Sequence, residues 1–278
     1  MKRPATSAGV ALVLVMLASL SPAPGQVSTP KVRMLGTIEF TGNKVFSQET
    51  LRKQLRIIRI GGPYNSAMLE SDVEKNLKAF LKENGYMTCE TSWEERVLAD
   101  GTVGLRINVV EGIQYHLVVL EIKGAQVISG EELISQFHLR PGDVLNFAEV
   151  KQGLERIRRM YSDKGYIDWS YTPEMKFNSD SRTAELRFSI QEGVQYRIAY
   201  VGIVGCGEQE EEDRVRSLIG LRPGEFFSQS VLEASVAAIN KLGLYQELKE
   251  KDYVLMPLEE KPGLVSVVFY LKPRSPRH

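Results

Sequence analysis

Two different periods meet at Gly165. Upstream, Phe147, Val150, Leu154, Ile157 and Tyr161 follow one another at steps of three and four, which predicts one apolar stripe on a helix packed against a sheet. Asn146-Phe-Ala-Glu149 has the form of a capping box at its start, and Gly165 is a natural stop. Downstream, Ile167, Trp169, Tyr171, Met175 and Phe177 alternate with Asp168, Ser170, Thr172, Glu174 and Lys176. A period of two predicts a long, half-buried strand over 167–177. Pro173 lies on the apolar parity and has no N–H to donate, so this should be an edge strand, or one bulged at that point. Thr183 to Ile190 is the expected hairpin partner.

The same order of elements precedes and follows. In the first part, 35–41 reads as a strand. Ser47 caps a short helix over 48–55, and Asn65 caps a second helix that stops at Gly85. Strands over 87–97 and 103–110 flank Asp100-Gly101, a hairpin signal. In the middle, 117–122 is strand and Ser129-Gly-Glu-Glu132 a second capping box. In the last part, 197–204 is strand, and the acidic run Glu208 to Asp213 opens a helix, where negative charge suits the dipole. A second helix follows over 228–242, then a hairpin of 245–258 with 264–271.

Glycines mark the period. Gly42, Gly124 and Gly205 stand 82 and 81 residues apart, and Gly61, Gly142 and Gly224 stand 81 and 82 apart. Gly85-Tyr86 returns as Gly165-Tyr166 and, more loosely, as Gly243-Leu244-Tyr245. Val110-Glu-Gly-Ile-Gln-Tyr115 returns as Ile190-Gln-Glu-Gly-Val-Gln-Tyr196, but not a third time. A fixed period of this length defines the architecture before any local reading does. The expected fold class is α+β: three tandem β-α-α-β-β units over 33–113, 114–194 and 195–273, each a three-stranded mixed sheet covered by two helices. The short Glu-Gly-x-Gln connections predict a stiff string of units.

Composition excludes more than it assigns. With 43% hydrophobic and 25% charged residues the chain is an ordinary globular one, and 35 basic against 35 acidic residues give no electrostatic case for nucleic acid. The first 25 residues differ. Lys2 and Arg3 precede a twelve-residue apolar run, Gly9 to Leu20, and small residues end at Gly25, the pattern of a signal peptide over 1–25. An uncleaved anchor is the alternative. No cysteine follows the run, so no lipoprotein signal is expected, and no second long apolar run follows, so the mature chain is expected to be soluble. Cys89 and Cys206 hold non-equivalent places in the repeat and read as free thiols, one on a strand and one in a turn. His116, His138 and His278 have no metal-site spacing.

The ordered set Gly42-Asn43, Gly124-Ala125, Arg140-Pro141-Gly142, Arg222-Pro223-Gly224, Gly85-Tyr86, Gly165-Tyr166, Glu111-Gly112 and Glu192-Gly193 resembles the POTRA (polypeptide-transport-associated) domains of the BamA-type outer-membrane protein assembly family. The likeness covers roughly 33–273. It implies a periplasmic location, association with the outer membrane, and recruitment of unfolded β-barrel polypeptides. A separate outer-membrane barrel protein or accessory lipoproteins would be further partners, with only peripheral contact with the membrane itself. In that family the second strand lies at the sheet edge and pairs with extended peptide, which Pro173 suggests independently. The expected polypeptide-binding edge is therefore Ile167, Asp168, Trp169, Ser170, Tyr171 and Thr172. A proline at Ser170 tests it if that amide faces outward. The family normally carries a C-terminal barrel, and barrel-type strands are absent here. The expectation is a free-standing module or the front part of a split or truncated gene.

No nucleophile elbow, P-loop, HExxH or Rossmann fingerprint occurs, so a non-enzymatic scaffold without cofactor is expected. Glu94-Glu95 and Glu259-Glu260 read as ordinary surface charges. An envelope module binding peptidoglycan or lipid is the alternative.

Overall fold

In the computed structural model, residues 33–274 are described, so the signal-peptide reading lies outside them. Three sheets follow one another along the chain. The first has the order β2-β1-β4-β3, the second β5-β7-β6 and the third β8-β10-β9. In each, the strand that opens the unit runs parallel to the last strand, and the last strand pairs antiparallel with the one before it.

The first group contains β1 (Arg33–Thr41), α1 (Gln48–Gln54), β2 (Pro63–Tyr64), α2 (Ser66–Ser71), α3 (Lys78–Glu83), β3 (Glu90–Val97) and β4 (Val103–Val110). The second contains β5 (His116–Lys123), α4 (Gly130–Ile134), α5 (Phe147–Asp163), β6 (Ser170–Asn178) and β7 (Thr183–Gln191). The third contains β8 (Arg197–Val204), α6 (Gln209–Leu218), α7 (Gln229–Leu242), β9 (Tyr253–Pro257) and β10 (Leu264–Tyr270). Each group buries its own apolar cluster, centred on Phe40 and Ile107, on Ile157 and Phe188, and on Ile239 and Phe269. The fold is α+β, with mixed sheets.

The cap residues do what their chemistry requires. Ser47, Asn65, Ser129, Asn146 and Ser228 each accept an amide that the first helical turn would leave orphaned. Neither expected capping box closes in both directions. Glu149 turns instead to Arg156, 3.1 Å away, and faces His138 at 3.6 Å.

Other departures have local causes. The edge strands begin later than alternation predicts, at Glu90 and Ser170, because 87–88 and 167–168 form a turn closing the preceding helix. Cys89 therefore lies just ahead of β3 rather than on it, and both cysteines are free. In the third unit, 245–252 is irregular and ends in a 3-10 turn, so only Tyr253–Pro257 is strand. The first sheet gains a fourth strand, where Pro63–Tyr64 pairs with Arg33 and Met34.

Between α2 and α3 a π turn, Asp72–Leu77, holds the buried Asp72 toward the 56–58 connector, whose three amides its carboxylate accepts at 2.7–2.8 Å. Glu95 is not an ordinary surface charge: it accepts from the Tyr64 hydroxyl, from Ser66 at 3.2 Å and from Arg33 at 2.8 Å. Glu259 and Glu260 are exposed in a turn, as read from the sequence.

Candidate functional site

β6 is the outer strand of the second sheet and pairs only with β7, in unbroken antiparallel register from Ser170↔Gln191 to Asn178↔Thr183. Pro173 stands opposite Phe188 without a register shift. A residue with no N–H fits such a ladder only where its backbone faces away from the partner strand. Backbone direction alternates along an antiparallel pair, so Tyr171, Met175 and Phe177 share the outward direction of Pro173. Ser170, Thr172 and Glu174 face β7. The edge thus offers the outward amides of Tyr171, Met175 and Phe177, with a gap at Pro173.

The six residues expected at the edge divide into two sets. Ser170, Tyr171 and Thr172 lie on β6, and only Tyr171 faces outward. Ile167 and Asp168 lie in the preceding turn. Ile167 packs on the core of the third unit, and Asp168 accepts from the Tyr196 hydroxyl at 2.5 Å. Trp169 stacks on Tyr161, with ring centroids 5.7 Å apart, and its indole N–H is buried without a partner. The expected proline test at Ser170 fails on geometry, since that amide faces Gln191. Met175 and Phe177 lie on the expected edge strand but outside the six named residues, and share the parity of Pro173.

The strand is also more exposed than alternation implied. Of its nine residues only Met175 is partly buried. Tyr171 and Phe177 nevertheless touch the core edge-on, against Phe188 and Tyr115 at 5.7 and 5.0 Å. β3 and β9 hold the same outer position in their sheets.

The repeated Glu-Gly-x-Gln-Tyr segment is the joint between units, and each residue has a distinct task. Glu111 accepts the amides of Lys44, Val45 and Phe46, closing the turn between β1 and α1. Glu192 accepts those of Gln126 and Val127 and the hydroxyl of Tyr161, each at 2.8 Å. Burial works to raise both carboxyls, but these donors outweigh it and hold both below the usual glutamate range. The glutamine side chains reach back to the preceding helix, Gln114 to the Asn84 carbonyl and Gln195 to the Lys164 carbonyl. Tyr115 and Tyr196 donate their amides to Gly85 and Gly165, and their rings lie in the cores of the following units. Gly165 has φ +86, and an added Cβ would stand 2.8 Å from the Tyr196 carbonyl oxygen.

The second joint has an extra tie. Asp163, the last residue of α5, accepts from the Ser230 amide at 2.6 Å and from Ser228 Oγ at 3.1 Å, so it caps a helix of the next unit. In the third unit a glutamate in the first turn of α6, Glu211, holds the turn after β8. It accepts the Gly207 amide at 3.0 Å and the Tyr245 hydroxyl.

Among the described residues, no group of three or more His, Cys, Asp or Glu is placed to hold a metal, and no helix is long and apolar enough to cross a membrane.

The chain is 22% identical over 222 residues to the outer membrane protein assembly factor BamA of Neisseria meningitidis serogroup B, covering 75% of this chain and 28% of that protein. It is 20% identical over 249 residues to BamA of Buchnera aphidicola, covering 85% of this chain and 40% of that protein. The chain therefore spans well under half the length of these relatives. The crystal structure of Haemophilus influenzae BamA POTRA3-5 superposes with a TM-score of 0.72 at 18% identity, covering 87% of this chain and 96% of that one, which establishes the shared fold. A family model described as "POTRA: Surface antigen variable number repeat" matches residues 34–112 and 119–193, more than half of the chain. The sheet order, the joints and this match agree, and the chain belongs to the POTRA family.

Proposed function

We propose that this chain is a non-enzymatic periplasmic scaffold for outer-membrane protein assembly. It comprises three units over 33–113, 114–194 and 195–273, behind an exported leader over 1–25. It binds unfolded β-barrel polypeptides or assembly partners in part by adding their strands to β6. Its similarity to proteins described as outer membrane protein assembly factors supports the general role. The observation that carries the strand-addition reading is the open edge of β6, with outward amides at Tyr171, Met175 and Phe177. Such an edge takes affinity from the main chain and tolerates many sequences, as barrel strands require.

The test compares Met175→Pro with Met175→Ala. Both remove the side chain, but only the proline removes an outward amide. A fluorescent ten-residue barrel-strand peptide should bind the alanine variant nearly as well as wild type and the proline variant at least tenfold more weakly. Equal binding by both folded variants refutes strand addition at β6. Sedimentation with purified peptidoglycan, unaffected by either change, would instead support a wall-binding role.

A further inference from the structure

In every unit the connector that follows the first helix ends in the same turn. The carbonyls of Arg59, Arg140 and Arg222 accept the amide three residues on, from Gly62, Asp143 and Glu225, at 2.9, 3.0 and 3.2 Å. Gly61, Gly142 and Gly224 all have positive φ, and their amides donate to Leu35, Leu117 and Ile198 on the opening strand. One turn therefore occurs in three copies, and its residues can be compared position by position. The second and third units place proline at the tip, Pro141 and Pro223, and an acid at the end, Asp143 and Glu225. The first unit has Ile60 at the tip and Gly62 at the end. Proline suits the first central position of such a turn, whereas a branched aliphatic is not a usual turn residue.

The approach to the turn differs too. One residue separates the buried Phe137 and Leu139, and one separates Ile219 and Leu221, whereas Arg56 and Ile57 both lie between the buried Leu55 and Ile58. The longer stretch is not slack, because Asp72 holds the amides of Arg56, Ile57 and Ile58. A fixed backbone thus presents Ile57, 42% exposed, and Ile60, 52% exposed. An added Cβ at Gly61 would meet nothing within 4 Å, so the tip stands clear of the fold. Met34, paired with Pro63 beside the turn, is exposed as well.

From Thr50 to Leu69 the chain holds Arg52, Lys53, Arg56 and Arg59 and no acid. Arg52 donates to the Ile38 carbonyl, and Lys53 pairs with Glu49. Arg56 and Arg59 are exposed and are engaged through their backbones alone. Among the described residues neither guanidinium forms a salt bridge or a hydrogen bond. The acids of the neighbouring elements do not answer them. Asp72 is buried under its amides and the Asn76 side chain, and Glu95 is held by Arg33 and Tyr64. Glu70, exposed on α2, is in no salt bridge. Arginine and isoleucine thus alternate among the exposed side chains at 56, 57, 59 and 60, on a narrow tip without a flat apolar face for a helix. A bilayer surface fits that arrangement: aliphatic ends enter the boundary of headgroups and acyl chains, while guanidiniums stay at the depth of the phosphates. We infer that the tip of the first unit, 56–62, docks on an anionic phospholipid surface through Arg56, Ile57, Arg59 and Ile60. This surface is separate from β6, so the inference stands whether or not strand addition occurs there.

The test uses residues 26–278, which hold all three cores, so that the apolar run Gly9 to Leu20 cannot bind vesicles by itself. Co-sedimentation with phosphatidylcholine vesicles, with and without phosphatidylglycerol, measures binding. Wild type should bind the anionic vesicles at least tenfold tighter than the neutral ones, and less tightly as salt rises. Arg56→Gln with Arg59→Gln should remove that preference. Ile57→Ser with Ile60→Ser leaves the charge unchanged and should still weaken binding at least tenfold. Circular dichroism confirms that both double variants are folded. Brominated acyl chains should quench the emission of an Ile60→Trp variant more than that of wild type, which reports entry of the tip itself. Equal binding to both vesicle types, or to neither, overturns the inference. So does undiminished binding by either folded double variant, or quenching of the Ile60→Trp variant no greater than that of wild type. Binding of polyglutamate but not of anionic vesicles would assign the tip to an acidic protein, and likewise overturns the inference.

Discussion

The Glu192 carboxylate, at the end of the second sheet, meets the hydroxyl of Tyr161, in the last turn of α5, at 2.8 Å. Two amides of the turn after β5 share the same carboxylate. One side chain therefore fastens the last strand, the long helix and the first turn of the unit. Glu192→Ala leaves two amides and a buried hydroxyl without their acceptor, and should cost the second unit about 2 kcal/mol. Urea unfolding followed by Trp169 fluorescence measures this, and Glu192→Gln should recover part of the loss.

Acid should loosen the same ties. Glu111 and Glu192 are held below their ordinary value of 4.5 in the folded chain. Their stabilising contribution is fully present above that value and is lost as pH falls through the lowered folded value. The urea midpoint should therefore fall as the pH drops below 4.5. In a Glu111→Gln, Glu192→Gln variant the fall should be shallower. An identical pH profile in wild type and variant would rule these carboxylates out as a source of acid sensitivity.

Two helix-ending glycines separate backbone strain from crowding. Gly243 has φ +68 with nothing within 4 Å of an added Cβ, whereas Gly165 has φ +86 with the Tyr196 carbonyl oxygen 2.8 Å away. Gly243→Ala should cost about 1 kcal/mol, the left-handed penalty alone. Gly165→Val should cost several times more and disturb the second joint. Thermal unfolding ranks the two.

Asp163 predicts a local effect on motion. Asp163→Ala removes the acceptor for the Ser230 amide, so exchange of that amide should quicken and α7 should lose about 1 kcal/mol of capping stabilisation. Hydrogen exchange resolved by NMR reports both. Protection at Ala237, deep in α7, should change little.

What could be read from the sequence was whatever repeats or obeys a local rule. The glycine period identified the three units, the five cap residues hold their amides, and Pro173 located an edge. What could not be read depends on contacts made only after folding. Alternation carried the strand back to Ile167 because it cannot register that Asp168 is held by the Tyr196 hydroxyl of the next unit. Glu95 looked like half of a surface pair, since Tyr64 and Arg33, which bond to it, come from distant positions. The outward direction of Met175 was available in principle: it required carrying the parity of Pro173 two residues further.

Gln114 and Gln195 have a consequence for dissecting the molecule. Each closes the end of a helix that belongs to the unit before it, while the tyrosine that follows is core to the unit after it. A cut between units, wherever made, leaves a helix carbonyl uncovered on one side or an aromatic ring missing on the other. Melting in such a string is coupled between neighbours, as in linear repeat arrays. A fragment of two units should therefore be more than twice as stable as either alone, and the surplus measures the joint.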